Sequence, residues 1–279
     1  MRCEMCPRKC GIDREKFPGF CGERDKIRIA KIIHNFMWEE PPVSKDKGTC
    51  AIFFSGCNLR CSYCQNYKIS RGGIGKEYTI EEFANLLKEI DKTDDESIDL
   101  ITPTHFVYYI IKALEIYTPK KPIVYNTSGY ESVEMIEKIA PYISIFLPDF
   151  KYFDEELSKK YSKAPDYFNV ALKAIKTMNK LKPNKFENGE LVEGVIIRHM
   201  VLPGCAKDSV KILEAISKNI NDPVISLMSQ FTPSGEEKKG RKISNLEYKV
   251  VLAAAKRLNL TKGYFQDLTA ADENFIPEF

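Results

Sequence analysis

Cys50-Ala51-Ile52-Phe53-Phe54-Ser55-Gly56-Cys57-Asn58-Leu59-Arg60-Cys61-Ser62-Tyr63-Cys64-Gln65-Asn66 joins an apolar run to a tight group of cysteines. The run Cys50–Phe54 reads as a short buried strand. Cys57, Cys61 and Cys64 follow it with the spacing C-x3-C-x2-C. Thiolate is the usual ligand of iron–sulfur clusters, and three thiolates this close can hold three irons of a cubane. The fourth iron would stay open to a small molecule. A zinc loop short of one ligand, or three core cysteines, is the plainer alternative from spacing alone.

Downstream, the chain alternates strands with helices. Thr79-Ile80-Glu81-Glu82 is a capping box, followed by Phe83, Leu86, Leu87 and Ile90 at helical spacing. Further strands are expected at Ile98–Thr102, Ile123–Thr127, Ile143–Pro148, Val195–Leu202 and Val224–Met228. Helices are expected over 104–117, 131–140, 154–162, 166–181, 207–219 and 245–258. Six such strand–helix units imply α/β architecture with a parallel sheet, in the form of an open or partial (β/α)6 barrel. Sites in such folds gather at the C-terminal ends of the strands. The expected division is a Cys-rich segment and connector over 1–48 and a barrel core with a C-terminal extension over 49–279. Pro41-Pro42 argues against a helix through the connector. The charged, glycine-containing loop 233–242 is expected to be mobile.

Composition narrows the function classes. The chain has 279 residues, and its 42 basic and 39 acidic residues leave a net charge of +3, so no nucleic-acid-binding surface is implied. No apolar run resembles a secretory signal or reaches the ~20 residues a membrane span needs. A cytoplasmic protein is therefore expected, in which clustered cysteines bind metal or do redox work. There are nine cysteines, an odd number that argues against a fully paired disulfide scaffold. Cys3, Cys6, Cys10 and Cys21 form a second group, C-x2-C-x3-C-x10-C, a full set of four thiols for zinc or for a closed iron–sulfur cluster. Cys50 reads as a core cysteine. Cys205, after Pro203-Gly204, reads as a loop cysteine with a chemical role as the sharper alternative.

Taken together, C-x3-C-x2-C with Tyr63 just before the third cysteine resembles the radical S-adenosylmethionine (SAM) superfamily. Phe53-Phe54-Ser55-Gly56-Cys57 through Cys64-Gln65-Asn66 is similar to its pyruvate formate-lyase-activating-enzyme branch. Asp149-Phe150-Lys151 and Ile197-Arg198-His199-Met200-Val201-Leu202-Pro203-Gly204 resemble motifs of that branch too. The resemblance spans about 49–230. It implies a [4Fe–4S] cluster on Cys57, Cys61 and Cys64. SAM would be positioned by Tyr63, Thr102, Thr104, Asn126, Asp149, Lys151 and Arg198. It further implies reductive cleavage of SAM to a 5′-deoxyadenosyl radical, an external electron donor such as flavodoxin or ferredoxin, and a protein or peptide substrate under anaerobic conditions. A glycyl-radical enzyme is one candidate target. Modification of another peptide or a small molecule is a second reading, and a non-catalytic iron–sulfur electron-transfer protein a third.

Two departures stand out. Where the branch has Gly-Gly-Glu, this chain reads Thr102-Pro103-Thr104-His105, and Asn126 replaces an aspartate. A polar active-site role is the sharper reading of His105. Arg198 and His199 are neighbours in a strand and should face opposite sides. Gln230 and Phe231, at the end of the sixth strand, are candidates for contact with SAM or substrate. Trp38 with Glu39-Glu40-Pro41-Pro42 is a structural connector, or a segment packed over the barrel mouth.

Overall fold

The computed structural model describes residues 2–268 and 279. All six expected strands form: β2 (Thr49–Phe54), β4 (Ser97–Ile101), β5 (Ile123–Thr127), β6 (Ile145–Pro148), β8 (Glu190–Met200) and β9 (Val224–Met228). They pair in parallel in that order, and β10 (Gly263–Phe265) extends the parallel run beside β9. Among the described residues the sheet does not close on itself. It ends at β10 on one side and at β3 (Lys76–Tyr78) on the other. A partial barrel is the result. β7 (Lys185–Glu187) pairs only with the start of β8.

β2, β4 and β9 are buried along their whole length. Central strands of a parallel sheet are covered on both faces, which explains their continuous apolar runs. Cys50, Ile52, Phe54, Ile98, Leu100, Tyr125, Phe146, Ile197 and Leu227 point to the helices and form the main core with them. The inward positions form two smaller clusters. Val124, Ile145, Leu147, Ile196 and Val224 make one, and Phe36, Ala51, Phe53 and Ile101 belong to the other. The crossover helices are α3 (Ile80–Ile90), α4 (Val107–Ile116), α5 (Val133–Ile139), α6 (Glu155–Ser162), α7 (Tyr167–Leu181), α8 (Ala206–Asn219) and α9 (Asn245–Arg257). The Thr79–Glu82 capping box is present at α3.

The stretch 22–48 is more than a connector. It holds β1 (Ile27–Phe36), ten residues that pair antiparallel with β2 and with β3. Its Ile27 and Ile29 alternate toward the main core, and after a bulge Ile32 takes that face while Ile33 turns to the other. The chain then crosses the open sheet through α1 (Pro41–Ser44). Val43 is buried among Val124, Ile145, Leu191, Ile196 and Val224. The Glu39–Pro42 segment therefore plugs the barrel interior from the side where β2 begins, and it does not cap the mouth. The loop 233–242, expected to be mobile, is docked on the cysteine loop. Glu236 N–H donates to Ser62 O at 2.7 Å, Ser234 Oγ to Tyr63 O at 2.8 Å, and Arg71 pairs with Glu236 at 3.0 Å.

Candidate active site

β2 delivers the chain to Gly56, where the cysteine loop begins. Gly56 has φ +81°, and a Cβ there would stand 2.6 Å from Cys21 O and 2.7 Å from Glu23 Cγ. Only glycine meets both demands. Asn58 and Leu59 are fully buried and anchor the loop, with Asn58 Nδ2 donating to Tyr130 O at 2.8 Å. Cys57, Cys61 and Cys64 line a single cavity at the C-terminal ends of the strands. Burial pushes the Cys57 thiol up, and the Cys64 thiol up to about 12, so neither ionises at neutral pH unless a cation is beside it.

The same cavity is lined by Tyr63, Thr102, Asn126, Asp149, Lys151 and Arg198, together with Gln230, Phe231 and Trp38. Lys151 Nζ meets Asp149 Oδ2 at 2.5 Å. Burial works against the Lys151 charge, but Asp149 together with Tyr63, Cys61 and Tyr167 outweighs it and the ammonium is held well above its usual range. Arg198 donates to Glu39 Oε2 at 2.8 Å and lies 3.6 Å from Glu40 Oε1 and 3.7 Å from Asp149 Oδ1. His199 faces the other way, as the alternation requires, with Nδ1 on Phe150 O at 2.6 Å.

Thr102 has a left-handed backbone. Its φ is +62°, uncommon for a β-branched residue, and its N–H donates to Asn126 O at 2.8 Å. Thr104 departs from expectation. It is fully buried, its Oγ1 donates to Glu131, and it is absent from the cavity wall. The 3-10 turn Thr104–Phe106 carries that side chain behind the β4–β5 ends. His105 is also not in this cavity. Its Nε2 bonds to Ser55 O at 2.6 Å, behind the cysteine loop. Cys205 lies outside the cavity as well, with Sγ on Pro203 O at 3.7 Å.

Two features escaped the sequence. Glu39 lines the cavity and takes up the Arg198 charge, placing a carboxylate where none was expected. Burial raises the Glu39 carboxyl, and that of Asp99 still more; Asp99 accepts from Asn126 Nδ2 at 3.2 Å while its Oδ1 has no partner. The second feature is a chain of hydrogen bonds: Tyr63 Oη to Tyr152 Oη at 2.6 Å, Tyr152 Oη to Ser162 Oγ at 2.8 Å, and Ser162 Oγ to Cys61 Sγ at 3.0 Å. Tyr63 itself is 6% exposed, edge-on to Phe231 at 5.8 Å.

These residues fit a cluster with SAM beside it. SAM carries two positive groups, an ammonium and a sulfonium, and one carboxylate. The cavity offers the acids Glu39 and Asp149 together with the cations Lys151 and Arg198, and the orphaned Ser128 Oγ and Asn66 Oδ1 on its wall seek partners.

The family model of the Radical SAM superfamily matches residues 51–216. The chain belongs to the radical SAM superfamily. That family implies a [4Fe–4S] cluster and SAM, and Cys57, Cys61 and Cys64 are three thiols lining one cavity. An uncharacterized protein of Methanocaldococcus jannaschii is 29% identical over 275 residues, covering 92% of this chain and 75% of that protein. A pyruvate formate-lyase-activating enzyme of Clostridium pasteurianum is 28% identical over 185 residues, covering 61% of this chain and 70% of the enzyme. Methylornithine synthase shares the fold, with TM-score 0.52 and 22% identity over 78% of this radical SAM chain and 63% of that structure. Among the described residues no helix is long and apolar enough to cross a membrane.

Cys3, Cys6, Cys10 and Cys21 line a second, much smaller cavity with Arg14, Phe20 and His105. Among the described residues one trio of His, Cys, Asp or Glu has all its ligand atoms within 4.8 Å of one another, and it is His34, Cys50 and Asp95. There Asp95 already accepts from Asn35 N–H at 2.7 Å and Thr93 Oγ1 at 2.7 Å and meets His34 Nδ1 at 2.6 Å.

Proposed function

We propose that this radical SAM enzyme abstracts hydrogen from a protein or peptide substrate, with a glycyl-radical enzyme as one candidate target. The convergence of three thiols with Asp149, Lys151 and Arg198 on one cavity carries the radical chemistry. Two further points support a large substrate. The activating enzyme of Clostridium pasteurianum is among the relatives. Trp38 also lines the cavity and is 44% exposed, and its neighbour Met37 is 51% exposed, so apolar surface continues from the cavity wall to the outside.

When bound and reduced, the cluster supplies the electron that splits a carbon–sulfur bond of SAM and yields a 5′-deoxyadenosyl radical. The protein's own groups do the rest. Arg198 and Lys151 would meet the SAM carboxylate, Asp149 and Glu39 would meet its ammonium, and Tyr63 with Phe231 forms an apolar wall suited to the adenine. Thr102 and Asn126 close the floor with backbone and amide groups. The helices over the open sheet and the plug around Val43 would limit the entry of water to the site. Cys3, Cys6, Cys10 and Cys21 would hold a second metal, zinc or iron–sulfur. An external one-electron donor of the flavodoxin or ferredoxin kind would reduce the enzyme.

The test is isotope transfer. The reduced enzyme is given SAM and a deuterium-labelled cell extract separated into protein and small-molecule fractions. Deuterium should enter 5′-deoxyadenosine from the protein fraction. Transfer from the small-molecule fraction alone would exchange this reading for the small-molecule one.

A further inference from the structure

We infer that the groove along α7, at the end of the sheet opposite the SAM cavity, is a docking site for an acidic segment of a protein partner.

α7 reads YFNVALKAIKTMNKL over Tyr167–Leu181 and contains no Asp or Glu. Its Lys173, Lys176 and Lys180 recur after three and four residues, so they share one face of the helix. On other helices of this chain, lysines stand beside a glutamate three or four residues away. Lys112 pairs with Glu115 at 2.8 Å, Lys138 with Glu134 at 2.6 Å and Lys159 with Glu156 at 3.9 Å. On α7 the neighbours at that spacing are other lysines, which repel. Lys180, in the last turn, complements the helix dipole. Lys173 and Lys176 lie too early in the helix for that reason to hold.

The three lysines face a cavity. They line an open groove of about 850 Å³ together with Asn184, Asn219, Asn221 and Asp222. Asp222 is the one acid among the described lining residues, and Lys262 already meets its two oxygens at 2.7 and 2.9 Å. A strut fixes the walls. Asn184 Oδ1 accepts from Val195 N–H at 2.9 Å, and its Nδ2 donates to Asp222 O at 2.7 Å. The groove is therefore preformed and positive, and its amides can donate to an oxygen without adding charge.

Shape selects the ligand. The lysines are spread over seven residues of helix, or ~10 Å. An extended peptide covers that length with three or four residues at ~3.3 Å each, so successive carboxylates can each meet an ammonium. A compact phosphate is held instead by bidentate arginine or by the first N–H groups of a helix. No arginine is among the described lining residues, α7 runs along the groove, and α8 meets it at Asn219, its last residue.

The place suits docking. Pro183-Asn184 and the turn 219–222 lie where β8 and β9 are about to begin, whereas Cys57, Cys61 and Cys64 line a cavity where the strands end. A partner held in the groove leaves the SAM cavity open, and its binding needs neither SAM nor the cluster.

The experiment follows the fluorescence anisotropy of a rhodamine-labelled hexaglutamate peptide titrated with the full chain at low ionic strength. Saturable binding is expected. K173A/K176A/K180A should weaken it about tenfold. Alanine is the better helix former, so this variant should keep its melting temperature. K173R/K176R/K180R keeps the charge and should bind within about twofold of wild type. K88A/K249A/K256A removes the same charge from α3 and α9 and should also stay within about twofold. Equal weakening by the two alanine variants would reduce the effect to general attraction between opposite charges and overturn the inference. Loss of binding in the arginine variant, or no saturable binding to wild type, would overturn it too. Tripolyphosphate that displaces the labelled peptide at about a tenth of the concentration needed for unlabelled hexaglutamate would mark a phosphate site, and would likewise overturn it.

Discussion

Arg198 Nη1 donates to Glu39 Oε2 across 2.8 Å, joining the end of β8 to the segment that plugs the barrel. The pair is buried, with side chains 13% and 9% exposed. Burial disfavours the Arg198 charge, but Glu40, Glu39, Asp149 and Asp99 together more than offset this and hold the guanidinium above its usual range. Glu39 thereby presents a carboxylate to the cavity in a chain that lacks the Glu of Gly-Gly-Glu. Glu39→Gln keeps the shape and one acceptor. It should weaken SAM binding by about tenfold, or about 1.4 kcal/mol, as read by anaerobic calorimetry, with little change in melting temperature. Unchanged affinity would remove Glu39 from the SAM site.

The chain of hydroxyls ending at Cys61 makes a different prediction. Ser162 Oγ lies 3.0 Å from Cys61 Sγ and is held by Tyr152 Oη at 2.8 Å. Hydrogen bonds to cluster sulfurs raise the reduction potential. Ser162→Ala should lower the potential of a cluster held by Cys57, Cys61 and Cys64 by on the order of tens of millivolts, and Tyr152→Phe should act in the same direction but less. A potentiometric titration followed by paramagnetic resonance reads both. Equal potentials in all three proteins would mean the chain is only packing.

Glu131 should make stability depend on pH. Burial pushes its carboxyl up to about 7, against hydrogen bonds from Thr104 and Thr127 that favour the anion. The folded pKa lies above the ordinary value of 4.5. Between those values the folded state holds the proton and the unfolded state does not. This contribution is therefore complete below about pH 4.5 and is lost as pH rises through about 7. Glu131→Gln removes the dependence, so its stability relative to wild type should be higher at pH 8 than at pH 5. Denaturant melts at the two values check this, and a constant difference would show that Glu131 is ionised throughout.

Gly56→Ala should fail at the joint between the two cysteine groups. The added Cβ would press on Cys21 O and Glu23 Cγ, at a φ of +81°. A destabilisation of about 2 kcal/mol or more is expected, from the strained backbone and the clash together. Thermal unfolding gives the first number, and iron per chain shows whether the N-terminal segment has been pushed from the loop.

How much of this was legible beforehand follows from the range of each interaction. The strands that match continuous apolar runs, such as Thr49–Phe54 and Val224–Met228, were readable because their burial on both faces is written locally. The inward turn of Arg198 and outward turn of His199 followed from the two-residue period alone. β1 was obscured by the prolines after it, although Ile27 and Ile29 alternate as a strand requires. Thr104 was misplaced because a 3-10 turn after β4 rotates it toward Glu131, a contact 27 residues away. Glu39 gave little local sign, since its role depends on the chain crossing beneath the sheet to Arg198, 159 residues on. Ser162 is likewise 101 residues from Cys61.

The most direct measurement is 5′-deoxyadenosine formed anaerobically from SAM and reductant by the reconstituted protein. The wild-type protein should produce it, and Cys61→Ala should not, because the variant loses one of the three thiols that line the cavity. A wild-type protein that carries its full iron yet forms none, or a Cys61→Ala variant that forms as much as wild type, would contradict the account.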